Sequence, residues 1–233
     1  MSVPYFYEPL ISAGHTQFTL SEASSKHCIQ VLRMQEGDRI DITNGVGGLF
    51  HALIQVAHKK NAIVQITEAI QTPRPTQQLQ LGISLLKNAG RLEWLFEKAT
   101  EMGVTHIIPL LCERTIHERF KTERMQQIIQ SAMIQSQQTW LPILAAPTEL
   151  TQFLDQAVAA QKWIAHCEPT IKQSIKNIVP GQELVLLIGP EGDFSPTEIE
   201  AAIAKDFIPI DLGPTRLRTE TAGIFALSVL KNF

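Results

Sequence analysis

The hydrophobic pattern changes period once along the chain. Up to about Ile70, apolar residues recur in short alternating runs: "PYFYEP", "QFTL", "RIDIT", "GLFHALIQVA" and "AIVQITEAI", with turn residues between them. Alternation of this kind marks strands with one buried face, and many short strands at this spacing predict a small β-barrel. One helical insert, "SEASSKHCIQVLRM", opens with Ser21 as its N-cap. "NGVGG", Asn44–Gly48, predicts a hairpin turn, because Asn and Gly tolerate positive φ. "QTPRPTQQ", Gln71–Gln78, holds two prolines and no large apolar residue, so it predicts a boundary between domains 1–72 and 73–233.

Beyond it the apolar runs become continuous: "LQLGISLL", "HIIPLLC", "KWIAHC", "ELVLLIG" and "FIPIDLG". Such runs suit strands covered on both faces. Helical patterns lie between them. In "RLEWLFEKATEMG", Leu92, Leu95, Phe96, Ala99 and Met102 share one face, and Gly103 supplies the stop. "KTERMQQIIQSAMIQS" and "TELTQFLDQAVAA" read as two more helices. Strand and helix in alternation predict an α/β domain with a parallel sheet, its ligands at the carboxyl ends of the strands.

Composition narrows the class. With 44% hydrophobic and 18% charged residues, the 233-residue chain can bury a substantial core. No basic-then-apolar leader and no membrane-spanning run is evident, so a cytoplasmic protein with no membrane partner is expected. The three cysteines, Cys28, Cys112 and Cys167, lie far apart and form no CxxC, which argues against a disulfide framework or a metal site. A net charge of −3 argues against a generic nucleic-acid coat, so RNA binding would need a local basic face.

Two stretches carry chemistry. In "LLIGPEGDFSPTEIE" a strand ends at Gly189, and Ser195, Pro196 and Glu198 open a helix with a capping box. Its "GPEG" is neither GxGxxG nor a P-loop, which disfavours a dinucleotide or triphosphate. It is a tight turn, and positive φ at Gly192 would let its amides approach a ligand. In "LGPTRLRTETAG", a Gly-Pro turn leads through Arg216 and Arg218 to a helix with Thr219 as cap. A helix N-terminus carries partial positive charge and prefers acids, so Glu220 suits the place and the arginines do not. They suit an anionic or carbonyl-rich partner. Two such loops on neighbouring strands would form one pocket.

These loops, with "HCIQVLRMQEGD" and "RLEWLFEKATEMGVTHIIPL" upstream, resemble the ribosomal RNA small subunit methyltransferase E family of the SPOUT superfamily, nearly end to end. Asp193 stands where a glycine is common, Thr215 and Arg216 alter an Arg-Ile pair, and Ile134 and Gln138 replace charged residues. The resemblance implies methylation of N3 of a uridine in 16S ribosomal RNA, within the small ribosomal subunit, with S-adenosyl-L-methionine as cofactor. It implies a PUA-like RNA-binding barrel, a SPOUT domain closed by a deep trefoil knot, and no metal. It places the cofactor among Leu187, Ile188, Gly189, Pro190, Glu191, Gly192, Leu212, Gly213, Leu217, Arg218, Thr219, Thr221 and Ala222.

Removing the N3 proton spreads charge onto the two flanking carbonyls, and a guanidinium there would stabilise it. Arg218 is the nominee, with Arg216 as substitute. Glu191 or Glu220 would accept the proton, orient the base, or simply hold loop amides. His27 and Arg33 either meet RNA phosphates or make a solvated helix face. His166 either touches the cofactor or is a satisfied core histidine. Trp94 and Trp140 read as core or dimer contacts, and the Glu113–Glu123 run as solvated surface. The last helix, Thr219–Asn232, carries Ile224, Phe225, Leu227, Val229 and Leu230, more apolar surface than one sheet face uses, so a homodimer is expected. An RNA-binding protein that has lost catalysis, and a methyltransferase acting on another RNA site, remain the alternatives.

Overall fold

The computed structural model describes residues 3–116 and 119–231. It divides into two compact units, residues 1–74 with 133–141, and residues 75–132 with 142–233. Residues 117 and 118 of the charged run, and Asn232 of the last helix, lie outside the described residues.

The strands of the first unit are β1 (Tyr5–Tyr7), β2 (Gln17–Thr19), β3 (Arg39–Thr43), β4 (Gly48–Val56) and β5 (Ile63–Gln71), with helix α1 (Glu22–Lys26) between β2 and β3. They form one curled sheet in the order β1-β3-β4-β5-β2, antiparallel except for β1 with β3. Among the described residues β1 and β2 remain its edges, so strand pairing does not close the expected barrel. Register shifts at His51/Ala52 and Ile54/Val56 bend the long β4–β5 pair. The curl encloses Phe6, Ile40, Ile42, Phe50, Ile54 and Val64. Each is worth about 1.5–3 kcal/mol over the same side chain left in water.

Ser21 caps α1 as expected, accepting from the Ser24 amide at 3.3 Å. The helix is shorter than its pattern: after Lys26 it widens into a π turn over His27–Val31, and Arg33 follows with φ +57°.

The "NGVGG" turn joins β3 to β4, with Gly45 at φ +74° and Gly47 at φ +93°. It also receives the segment 133–141. Gly47 donates its amide to the Thr139 carbonyl at 2.8 Å, and the Leu141 amide bonds Gly45 at 2.9 Å. The Trp140 indole lies on Gly47, where a Cβ would stand 2.5 Å from the ring. Its N–H donates to the Pro73 carbonyl at 2.9 Å, and the Arg74 guanidinium sits 5.4 Å from its centroid.

The second unit comprises β6 (Gln78–Ser84), α2 (Ala89–Glu101), β7 (His106–Leu111), α3 (Thr122–Gln135, whose last turn counts with the first unit), β8 (Ile143–Leu144), β9 (Thr148–Glu149) and α4 (Leu150–Gln156). It continues with β10 (Gln161–Ala165), β11 (Gln173–Ser174), β12 (Glu183–Ile188), α5 (Pro196–Ala204), β13 (Ile208–Asp211) and α6 (Thr219–Leu230). All strand pairs are parallel, in the order β11-β13-β10-β12-β6-β7-β8, with β9 on β7. β12 is buried from Leu184 to Ile188, as its unbroken apolar run requires. In α2, Leu92, Leu95, Phe96 and Ala99 are buried, and Gly103 ends the helix at φ +76°. Met102, placed on that face by the spacing, is only half-buried. Trp94 is 44% exposed and does not belong to the core. α6 packs on α2 so closely that a Cβ at Gly223 would come within 3.1 Å of Leu95. No helix among the described residues is long and apolar enough to cross a membrane.

Candidate active site

The strand order changes how the two polar loops meet. β12 and β13 are not neighbours, because β10 lies between them. Ala165 is in register with Ile188 on one side and Ile210 on the other, so three strands end level. Beyond those ends lies a cavity of about 540 Å³, within the usual size of small-molecule sites. The 189–193 turn forms one wall, the 211–219 loop another, and the residues just after β10 a third.

Of the residues expected to hold a cofactor, Ile188, Gly189, Pro190, Glu191, Leu212, Gly213, Leu217, Arg218, Thr219 and Ala222 line this cavity. Leu187, Gly192 and Thr221 are not among its lining residues. Leu187 is wholly buried in the core under the sheet, where period-two alternation sends it. Gly192 does not carry the expected positive φ. Asp193 does, at +65°, and can hold it because its carboxylate is anchored at both oxygens, by the Cys167 amide at 2.7 Å and the Phe194 amide at 2.9 Å. The glycine that needs its freedom here is Gly213, at φ +123°.

The loop before α5 is held from outside. Arg114 donates to the carbonyls of Gly192 at 2.9 Å and Phe194 at 3.3 Å. The capping box is made as expected, Ser195 amide to Glu198 at 2.8 Å and Glu198 amide to Ser195 at 3.3 Å. Glu198 also accepts from the Glu113 amide at 2.8 Å. Glu113 and Arg114 therefore do more than solvate a surface. Glu191 accepts from the Lys87 amide at 3.1 Å, the loop-holding option.

Arg218, not Thr219, is the N-cap of α6, and its side chain makes no cap bond. Thr219 is buried and Arg218 exposed at the cavity wall. Glu220 is 8% exposed and pairs with Arg91 of α2 at 3.5 Å. Arg91 lines the cavity, a place its local sequence does not mark, since it stands in the first turn of α2, far along the chain from Glu220. The same holds for Lys172, which donates to the carbonyls of His166 at 2.9 Å and Glu168 at 2.8 Å.

His166 is 7% exposed, and neither ring nitrogen has a hydrogen-bond partner. A satisfied core histidine is thus not what the fold contains. Burial, then the nearby Lys172 ammonium, lowers its pKa below the ordinary value and favours the neutral ring. His27 and Arg33 lie in the first unit, in and just after the π turn.

A family profile described as the RNA methyltransferase domain matches residues 72–231, and one described as the RNA methyltransferase PUA domain matches residues 20–67. A ribosomal RNA small subunit methyltransferase E from Synechocystis is 35% identical, over 90% of this chain and 71% of that protein. A Legionella pneumophila protein solved with its bound cofactor SAM is 32% identical, with a TM-score of 0.89 over 99% of this chain and 97% of that one. The ribosomal RNA small subunit methyltransferase E of Neisseria gonorrhoeae, solved bound to S-adenosyl methionine, is 27% identical, with a TM-score of 0.88 over 98% and 97% of the two chains. With its PUA-type first unit, its parallel second sheet and a cavity built by both polar loops, this chain belongs to the ribosomal RNA small subunit methyltransferase E family.

Proposed function

We propose that this protein methylates N3 of a uridine in 16S ribosomal RNA of the small ribosomal subunit, with S-adenosyl-L-methionine as cofactor. The observation that carries the reading is the cavity beyond β10, β12 and β13, walled by the two loops that resemble the family's cofactor loops. Its residues fit such a ligand. It combines apolar strand ends at Ala165, Ile188 and Ile210 with loop backbone, and beside it is a buried imidazole whose polar atoms lack partners. When bound, the cofactor supplies a methyl group on a sulfonium centre.

In this reading Gly189, Pro190, Leu212, Gly213, Leu217 and Ala222 surround the cofactor, and Arg218 donates to a uracil carbonyl as charge develops there. His27 and Arg33 contact RNA phosphate from the first unit. The second unit is a SPOUT domain whose last strands and loops thread a deep trefoil knot, and the protein works in the cytoplasm. Ile224, Phe225 and Val229, half-buried on α6, support a homodimer. Light scattering at micromolar concentration should give twice the chain mass, and a monomer would remove that part.

The central test is nucleotide mapping. Ribosomal RNA from a strain deleted for this gene should lack one 3-methyluridine that the restored gene returns. If the missing mark is elsewhere, the target is wrong. If no mark changes and calorimetry detects no cofactor binding, the protein is not a methyltransferase.

A further inference from the structure

Arg91 stands between two spaces of the second unit. It lines the cavity at the strand ends, and it also lines a shallow, open hollow formed with Lys87, Asn88, Ala89, Gly90 and Glu191. Arg91 and Glu191 are thus the partition between the two spaces. Behind the partition Glu220 faces the guanidinium at Nε, 3.5 Å away, from the first turn of α6. The Glu220 side chain is 10% exposed and that of Arg91 is 38% exposed. Among the described hydrogen bonds none is made by the guanidinium, so its donors are free for a ligand. A carboxylate at this distance holds the guanidinium electrostatically while leaving its hydrogen-bond donors free.

We infer that Arg91 is a catalytic residue of this site, contacting the target base across the partition, and that Glu220 is its positioning residue rather than a proton acceptor. The inference rests on the methyltransferase reading above and deepens it. Uracil has a carbonyl on each side of N3, and loss of the N3 proton to solvent water puts negative charge on both. Arg218 reaches the cavity from the start of α6 and Arg91 from the start of α2, so each oxygen has its own guanidinium. The second hollow gives the base a way to N3 contact that does not pass through the cofactor space. Glu220 would hold Arg91 in place before the base arrives, so no reorganisation is needed as charge develops.

The test uses the full-length protein, small ribosomal subunits from the deletion strain, and S-adenosylmethionine affinity measured by calorimetry. Arg91→Ala should lower kcat about a hundredfold while cofactor Kd stays within about threefold. Arg91→Lys should recover part of the loss, because an ammonium keeps the charge without the fork. Glu220→Gln should lower kcat about tenfold by itself and nothing further in an Arg91→Ala background, since a positioning residue has no work without the group it positions. The Arg91→Ala, Glu220→Gln double variant also removes the unpaired buried carboxylate that would unsettle Arg91→Ala alone. Turnover of the double variant within twofold of the parent overturns the inference. So does a Glu220→Gln loss that persists undiminished without Arg91, which would return Glu220 to proton transfer. A parent protein that neither binds the cofactor nor methylates subunits sinks the methyltransferase reading itself, whereas an active parent indifferent to Arg91 sinks this inference alone.

Discussion

Arg218 shows how little a residue's place in a helix says about its work. It stands at the N-cap of α6, where a cation is electrostatically misplaced, makes no cap bond, and lies exposed on the cavity wall. A helix that kept a poor cap here gave up about 1 kcal/mol that a Ser or Asp would have supplied. Replacing Arg218 by Ala should therefore leave stability unchanged or slightly raised, which thermal unfolding would register. Methyl transfer should fall by about a hundredfold with little change in cofactor affinity. Loss of cofactor binding with normal turnover at saturation would instead place Arg218 in the cofactor pocket. At Gly213 the argument is steric. Its φ of +123° lies where side chains are rarely tolerated, although there is open space around it. Gly213→Ala should weaken cofactor binding, because the loop must change shape to relieve the strain, and calorimetry should show that weakening.

At the scale of elements, short segments distant in sequence hold the two functional ends of the chain. The 133–141 segment lies on the hairpin turn of the first unit, with Trp140 between Gly47 and the Arg74 guanidinium. Gln138 accepts from the Tyr5 hydroxyl at 3.1 Å through its backbone carbonyl, a contact that does not depend on which side chain stands there. The Gln138 side-chain amide in turn donates to the Ser136 hydroxyl at 2.9 Å, so the uncharged residue has a polar partner of its own here. Trp140→Ala should destabilise the first unit by about 2 kcal/mol, roughly half the cost of a fully buried Trp, and urea titration with a first-unit probe would measure it. In the second unit Arg114 ties two carbonyls of the 190s loop. Arg114→Ala should raise cofactor Kd several-fold through loop disorder, without touching the ligand.

For the molecule as a whole, burial sorts the titratable groups. Burial pushes the Cys28 thiol up to about 11 and the Cys112 thiol up to about 12, whereas Cys167 is exposed at the cavity. A thiol reagent at pH 8 should therefore modify Cys167 quickly and the other two only after unfolding. Saturating S-adenosylmethionine should slow the Cys167 reaction; mass spectrometry of the native protein at intervals would show both. His166 sets a pH dependence of the opposite kind. Its folded pKa lies below the ordinary 6.5, so the unfolded chain binds the extra proton first. The neutral ring's contribution is complete above pH 6.5 and is lost as pH falls from there through the folded value. Lys172, Asp193 and Glu168 are the charges that act on this ring, Lys172 opposing protonation and the two carboxylates favouring it. Melting temperatures from pH 7.5 to 5 should fall more for the parent than for His166→Gln. Equal slopes would remove His166 as the cause.

Much of this architecture was legible in the order of residues. Period-two alternation marked the strands of the first unit, continuous apolar runs marked the buried parallel strands, and caps such as Ser21, Ser195 and Gly103 marked ends, because all of these depend on neighbours within a turn or two. The two polar loops announced themselves in the same local way, one by a glycine-flanked turn ahead of a capping box and the other by arginines at a helix end that repels them. The chain's order offered His166 as a cofactor contact or a core histidine, but could not show that β10 would slip between β12 and β13 and carry it to the site with its ring nitrogens unpartnered. It did not mark Arg91 for the buried Glu220, the 133–141 segment for the first unit, or the loop that Arg114 would hold. Nor could it place positive φ on Asp193 instead of Gly192, since the amides that anchor that carboxylate come partly from the end of β10. Local periodicity and capping are written into adjacent residues, whereas strand order and ion pairing are settled only when separate elements bury one another, and that is where this site is assembled.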